Sequence, residues 1–118
     1  MDKEMMKGSI DILLLSLIEK EDLYGYDIAK RLKEKSNETY TLSEGTLYPA
    51  LQRLEKRKLI KSYWGDSETG ARRKYYSITD EGKKVLSEKL NEWDLLNTLI
   101  KACREGITCA NLMNTLTQ

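Results

Sequence analysis

Apolar residues recur along this chain first at helical spacing, then at strand spacing, then at helical spacing again. Met6, Ile10, Leu13, Leu14, Leu17 and Ile18 predict a first helix from Met5 to Lys20. Ile12 and Leu15 make it apolar over most of its circumference, so it is buried on more than one side. Its second contact is either another subunit or the core of a single chain. Glu19 to Leu23 reads as a polar connection. Tyr24 to Lys35 reads as a second helix, with Tyr24, Ile28, Ala29 and Leu32 inward. Ser36 to Leu42 reads as a loop. Ser43 to Lys58 is a third helix, with Leu47, Ala50, Leu51 and Leu54 on one stripe. Ser43 is the expected N-cap, its hydroxyl accepting an early backbone N–H. Pro49 inside this helix removes one backbone hydrogen bond and predicts a slight bend.

The period then changes. Ile60 to Trp64 and Lys74 to Ile78 are β-branched and aromatic runs around the turn-forming segment Gly65 to Ala71. They predict a β-hairpin, with Trp64 packing on it. Thr79, Asp80 and Glu81 open a last helix, Thr79 as cap and the acids at the positive end of the dipole. Val85, Leu86, Leu90, Trp93, Leu96, Leu99, Ile100 and Cys103 form its apolar stripe. Run to about Arg104, that helix is roughly 37 Å long. A small domain cannot cover such a stripe unaided, which implies a second copy pairing through the first and last helices. Three helices and a hairpin make a mainly α (α+β) winged helix-turn-helix, here with a long C-terminal dimerisation helix. The expected division is a winged domain over 1–79, the dimerisation helix over 80–106 and a tail over 107–118.

The outward side of the third helix carries Thr46, Pro49, Gln52, Arg53 and Lys56, with Tyr48 at its margin. Gln can bridge adenine and Arg can bridge guanine in a DNA major groove. A merely solvated polar face would carry similar residues, so charge must decide. The formal net charge of the 118 residues is only +1. Yet Arg53 to Lys61 holds five cations against one acid, and the second strand opens with Arg72, Arg73 and Lys74. That local excess is what a phosphate-binding surface needs. The cations Lys30, Arg31, Lys33 and Lys35 suit the C-terminal end of their own helix, with a phosphate contact as the functional alternative.

The remaining chemistry is mostly excluded. Histidine is absent, which removes the commonest general base and the commonest metal ligand. Cys103 and Cys109 are too few for a zinc site; they read as free thiols of a reducing compartment, or as a disulfide if their geometry suits one. No nucleophile with a base, paired carboxylates or phosphate-cradling glycine loop is visible, so an enzyme is not expected. Neither is a cofactor. The charged start, Met1 to Lys7, predicts no secretory leader, and no apolar run approaches the roughly 20 residues that span a bilayer. A cytoplasmic protein without membrane contact follows.

Three segments carry a more specific resemblance: L-Y-G-Y-D-I-A-K-R-L at 23–32, E-G-T-L-Y-P-A-L-Q-R-L-E at 44–55 and G-A-R-R-K-Y-Y-S-I-T-D-E-G at 70–82. Together they resemble the PadR-like transcriptional regulators, over about Met5 to Ile100. The single dimerisation arm is similar to the small subgroup that includes multidrug-binding repressors. The resemblance implies a homodimeric regulator, usually a repressor, on an inverted-repeat operator in double-stranded DNA. Thr46, Tyr48, Pro49, Gln52, Arg53 and Lys56 then match the recognition helix, and Arg72, Arg73 and Lys74 the wing. Trp93 matches a tryptophan that, with its symmetry mate, sandwiches planar aromatic ligands. Met6, Asp11, Ile12 and Asn97 match by position the lining of that pocket, and Asp11 could favour cationic ligands. Plain packing at a dimer interface is the other reading of Trp93. A winged-helix protein-interaction module without sequence-specific DNA binding is the alternative function; the near-neutral charge is what favours it.

Overall fold

The structure, a computed structural model, describes residues 3–105, and only the backbone of Lys3, Met6 and Lys7. The tail over 107–118 with Cys109, and the Met6 side chain, lie outside the described residues. The elements run α1 (Lys3–Lys20), β1 (Leu23–Tyr24), α2 (Gly25–Lys35), α3 (Glu44–Lys56), β2 (Ile60–Asp66), β3 (Arg72–Ile78) and α4 (Asp80–Glu105). This is a winged helix with a three-stranded antiparallel sheet in the order β1-β3-β2. The chain forms two compact units, one ending at Leu86 and one beginning at Ser87, so α4 contributes to both.

In the first unit α1 is the central helix. Leu14, Leu15 and Ile18 are fully buried and Ile10 and Leu17 nearly so, as its two-sided apolar pattern requires. They join Ile28 and Leu32 of α2 and Leu47, Ala50, Leu51 and Leu54 of α3 in one cluster. Tyr40 and Leu42 belong to the same cluster, so the 36–42 connection contributes core residues as well as a turn.

Three expectations change. Leu23 and Tyr24 are neither connection nor helix. They form a strand on the free edge of β3, with Leu23 opposite Tyr76 and Tyr24 opposite Tyr75. A two-residue strand is too short to show a period of two, so its partner alone defines it. Ser43 sits at the N-cap but its side chain makes no cap bond. Its Oγ donates to Thr46 Oγ1 at 3.2 Å, while its carbonyl accepts from the Thr46 and Leu47 N–H groups. The hairpin is longer than its β-branched runs, because the ladder continues through Gly65 opposite Arg73 and Asp66 opposite Arg72. The turn is reduced to 67–71, with Gly70 at φ +86°. Trp64 packs on the hairpin as expected, with the Arg72 guanidinium over its ring, and is otherwise 61% exposed.

Both helix ends flanking the winged surface stop the same way. After α3, the Lys58 N–H bonds the Glu55 carbonyl and the Leu59 N–H bonds that of Leu54, with Lys58 at φ +63°. That is a Schellman ending with lysine in the left-handed position where glycine is usual. After α2, Asn37 and Glu38 repeat the pattern on Glu34 and Lys33.

The Lys58–Leu59 turn is then clasped by the start of α4. The Thr79 hydroxyl lies 2.7 Å from the Lys58 carbonyl oxygen and 3.0 Å from that of Leu59, and accepts the Gly82 N–H at 3.0 Å. Thr79 therefore caps α4, as expected, and also closes the base of the hairpin. A Cβ at Gly82 would overlap the Leu59 carbonyl oxygen and come within 2.8 Å of Ile78 Cγ1. Backbone cannot swing aside as a side-chain tip can. Gly82→Ala is expected to lower stability by about 1–3 kcal/mol, the usual cost of overpacking, read as a drop in Tm and in the urea midpoint at unchanged slope.

Candidate nucleic-acid interface

The buried stripe of α3 leaves Thr46, Tyr48, Pro49, Gln52, Arg53 and Lys56 exposed along its other side. The hairpin presents Arg72 and Lys74 exposed and Arg73 half-buried. Between them runs an open groove of about 270 Å³ lined by Tyr24, Gly25, Tyr48, Gln52, Arg73, Lys74 and Tyr76. The fold thus gathers two residues of the recognition-helix set and two wing cations into one concavity. Thr46, Pro49, Arg53 and Lys56 lie on the helix outside the groove lining, and Arg72 lies further along the hairpin.

Aromatic rings hold the cations. The Arg73 guanidinium carbon sits 4.4 Å from the centre of the Tyr24 ring and that of Arg72 sits 5.4 Å from Trp64. Lys74 Nζ lies 5.8 Å from the Tyr76 ring. Such contacts contribute about 0.5–1 kcal/mol at exposed sites and orient the side chain. Tyr24 is in turn edge-on to Tyr75, which stacks on Tyr63. The Tyr63 hydroxyl donates to Asp22 at 2.5 Å, and this bond raises its pKa. Burial, with the nearby Glu55 charge, pushes the Tyr76 phenol up as well. Both phenols are therefore neutral near pH 7.

Sequence reasoning missed Tyr24 and Gly25 as groove residues. Tyr24 enters the site through the β1 pairing, which two residues cannot signal, and Gly25 as the first residue of α2. A Cβ at Gly25 would stand 2.6 Å from the Tyr48 hydroxyl, so glycine is what lets that ring lie against the start of α2.

The residues matched to a ligand pocket are placed as follows. Asp11 and Ile12 are half-buried on α1, and Asp11 Oδ2 lies 3.7 Å from Arg57 Nη1 at the end of α3. Trp93 is half-buried and Asn97 exposed, one turn apart on α4 in the second unit. Among the described residues no group of three or more His, Cys, Asp or Glu side chains could hold a metal ion. No described helix is long and apolar enough to cross a membrane.

Comparison with known proteins agrees with this geometry. The model of the transcriptional regulator PadR-like family matches residues 14–88. The chain belongs to that family. A PadR family transcription regulator from Clostridium difficile is 47% identical, with 80% of this chain and 96% of that one covered at a TM-score of 0.72. A transcriptional regulator from Clostridium thermocellum is 44% identical over 84% of this chain and 96% of that one, at a TM-score of 0.76. Bacillus subtilis PadR, a negative transcriptional regulator, was solved in complex with operator DNA. It is 30% identical at a TM-score of 0.62, and the match covers 69% of this chain and 45% of that one. PadR-like relatives are transcriptional regulators, not enzymes.

In this PadR-like chain Tyr48 is 43% exposed, with solvent on its outer side. Gly25→Ala is expected to displace it, shifting the Tyr48 ring resonances in NMR spectra. Stability should change by only about 1 kcal/mol or less, since the clash is with a mobile side-chain tip.

Proposed function

We propose that this protein is a sequence-specific DNA-binding regulator, a repressor, acting in the cytoplasm as a homodimer on an inverted repeat. The observation that carries the reading is the groove in which Tyr48 and Gln52 of α3 meet Arg73 and Lys74 of the wing. The operator complex of Bacillus subtilis PadR supports it. Gln52 and Arg53 are suited to base edges, with Pro49 in van der Waals contact beside them. Thr46, Tyr48, Lys56, Arg72, Arg73 and Lys74 are suited to phosphates and fix orientation.

Residues 1–79 act as the DNA-binding part and 80–106 as the dimerisation helix. In support, Leu90, Leu96, Leu99 and Ile100 of α4 are each 42–47% exposed in the single chain. A row of half-exposed leucines at helical spacing is the mark of a face that a second copy covers. Two-fold symmetry would bring two α3 helices into successive major grooves, roughly 34–36 Å apart.

The test is fluorescence anisotropy with a duplex from upstream of the protein's own gene and a scrambled duplex, across a salt series. Binding of the native duplex alone, fading with salt, is the expected result, with light scattering reporting twice the 13.7 kDa chain mass. Arg53→Ala should cost about 1–3 kcal/mol and relax discrimination at one base pair, whereas Arg73→Ala should weaken all duplexes alike and lower the salt slope by about 1. Equal weak binding of both duplexes would transfer the assignment to the protein-interaction module.

A planar aromatic ligand between Trp93 and its symmetry mate is the effector this reading favours. It can shift DNA affinity only by its differential affinity for two dimer states. Trp93→Ala is expected to abolish quenching by, and response to, planar aromatics while sparing DNA binding. Loss of DNA binding together with the response would make Trp93 a packing residue.

A further inference from the structure

Glu55 sits where two general rules disfavour an acid. It lies in the last turn of α3, at the negative end of the helix dipole. It is also the sole acid among five cations from Arg53 to Lys61, where it would repel a phosphate backbone. Neither helix stability nor DNA charge explains it.

Its contacts do. Glu55 is half-buried, and both long strands of the wing converge on it. From β2, Ser62 Oγ donates to Glu55 Oε2 at 2.5 Å. From β3, Lys74 Nζ lies 3.9 Å from Glu55 Oε1. Ser62 is opposite Tyr76 and Trp64 is opposite Lys74, so Ser62 and Lys74 project from the same side of the hairpin, toward the helix. One carboxylate thereby ties the C-terminal end of α3 to each strand, a single turn from Gln52.

We propose that Glu55 is a positioning residue for DNA recognition. It sets the spacing between helix and wing, so that Gln52 and Arg53 can meet base edges while Arg73 and Lys74 meet phosphates of the same site. The inference rests on the proposed function and adds a consequence of opposite sign to simple electrostatics. Two linked contacts reinforce each other only when their spacing matches the target. Glu55 therefore lowers affinity for DNA in general and raises the preference for the operator over other DNA.

The experiment compares wild type with Glu55→Ala, Glu55→Gln, Ser62→Ala and Glu44→Gln on the native and scrambled duplexes. Glu44 lies at the other end of α3 and reports the bare effect of losing a charge. Glu44→Gln should strengthen both duplexes alike. Glu55→Ala should strengthen the scrambled duplex but weaken the native one, reducing the ratio of the two affinities by about tenfold, the scale of one mismatched base pair. Ser62→Ala changes no charge, and a fall in the same ratio is expected there too. Glu55→Gln, which retains an acceptor for Ser62 and loses the attraction to Lys74, should fall between.

An unchanged ratio in both Glu55→Ala and Ser62→Ala would overturn the proposal while leaving the regulator reading intact. Failure of wild type itself to distinguish the duplexes would overturn that reading. Amide hydrogen exchange on the DNA-free protein then still decides the geometric part. Faster exchange confined to β2 and β3 in Glu55→Ala is the expected result, and wild-type protection in the variant would refute the tie.

Discussion

The structure depends on a close backbone contact at the base of the wing. Leu59 leaves α3 through a left-handed lysine, and its carbonyl is then met by the Thr79 hydroxyl, the Thr79 N–H and the face of Gly82. Three elements are fixed by that one peptide: the end of α3, the first residue of β2 and the first turn of α4. The core cluster holds the helices together, but hydrophobic burial is non-directional and would tolerate several hairpin orientations. Hydrogen bonds to one carbonyl and a steric limit at one glycine do not. The orientation of the groove walls is inherited from this contact.

What the walls carry is a local answer to a global deficit. A chain of net charge +1 does not attract polyanions as a whole. On the wing Arg72, Arg73 and Lys74 stand instead on tyrosine and tryptophan rings, with two acids nearby: Asp22 on the Tyr63 hydroxyl, and Glu55 beside Lys74. The chain has seven tyrosines and no phenylalanine. In this sheet the choice has a physical basis. Each ring offers an apolar face to an arginine or another ring, while its hydroxyl, as in Tyr63, can reach a polar partner.

Most of the fold was legible because long elements repeat their pattern. The Leu47, Ala50, Leu51 and Leu54 stripe and the Thr79 cap both carry several mutually consistent signals, and both stand in the structure. β1 carried none, since two residues cannot show a period. Tyr24 was consequently assigned to a helix, and neither it nor Gly25, the first residue of α2, to the groove. Ser43 had the right identity for a cap but spends its hydroxyl on Thr46. Trp64 was expected to pack on the hairpin and does, but its partner there, Arg72, becomes visible only with the strand pairing. The ion pair between Asp11 and Arg57 joins residues 46 positions apart in the chain, a separation at which sequence spacing says nothing. The exposed face of α3 was readable as chemistry; its junction with Lys74 and Tyr24 required the sheet.

The stacking of Arg73 on Tyr24 has a kinetic and thermodynamic corollary. A free arginine samples many rotamers, and freezing a side chain of that kind at an interface costs about 0.5–1.5 kcal/mol. Here the ring restricts Arg73 before any ligand arrives, by a contact of the same order as that cost. An anion reaching this wing would meet a guanidinium already partly ordered, so less of the attraction is consumed in ordering the protein. Tyr24, itself part of the groove lining, thereby acts on affinity through the conformer of Arg73.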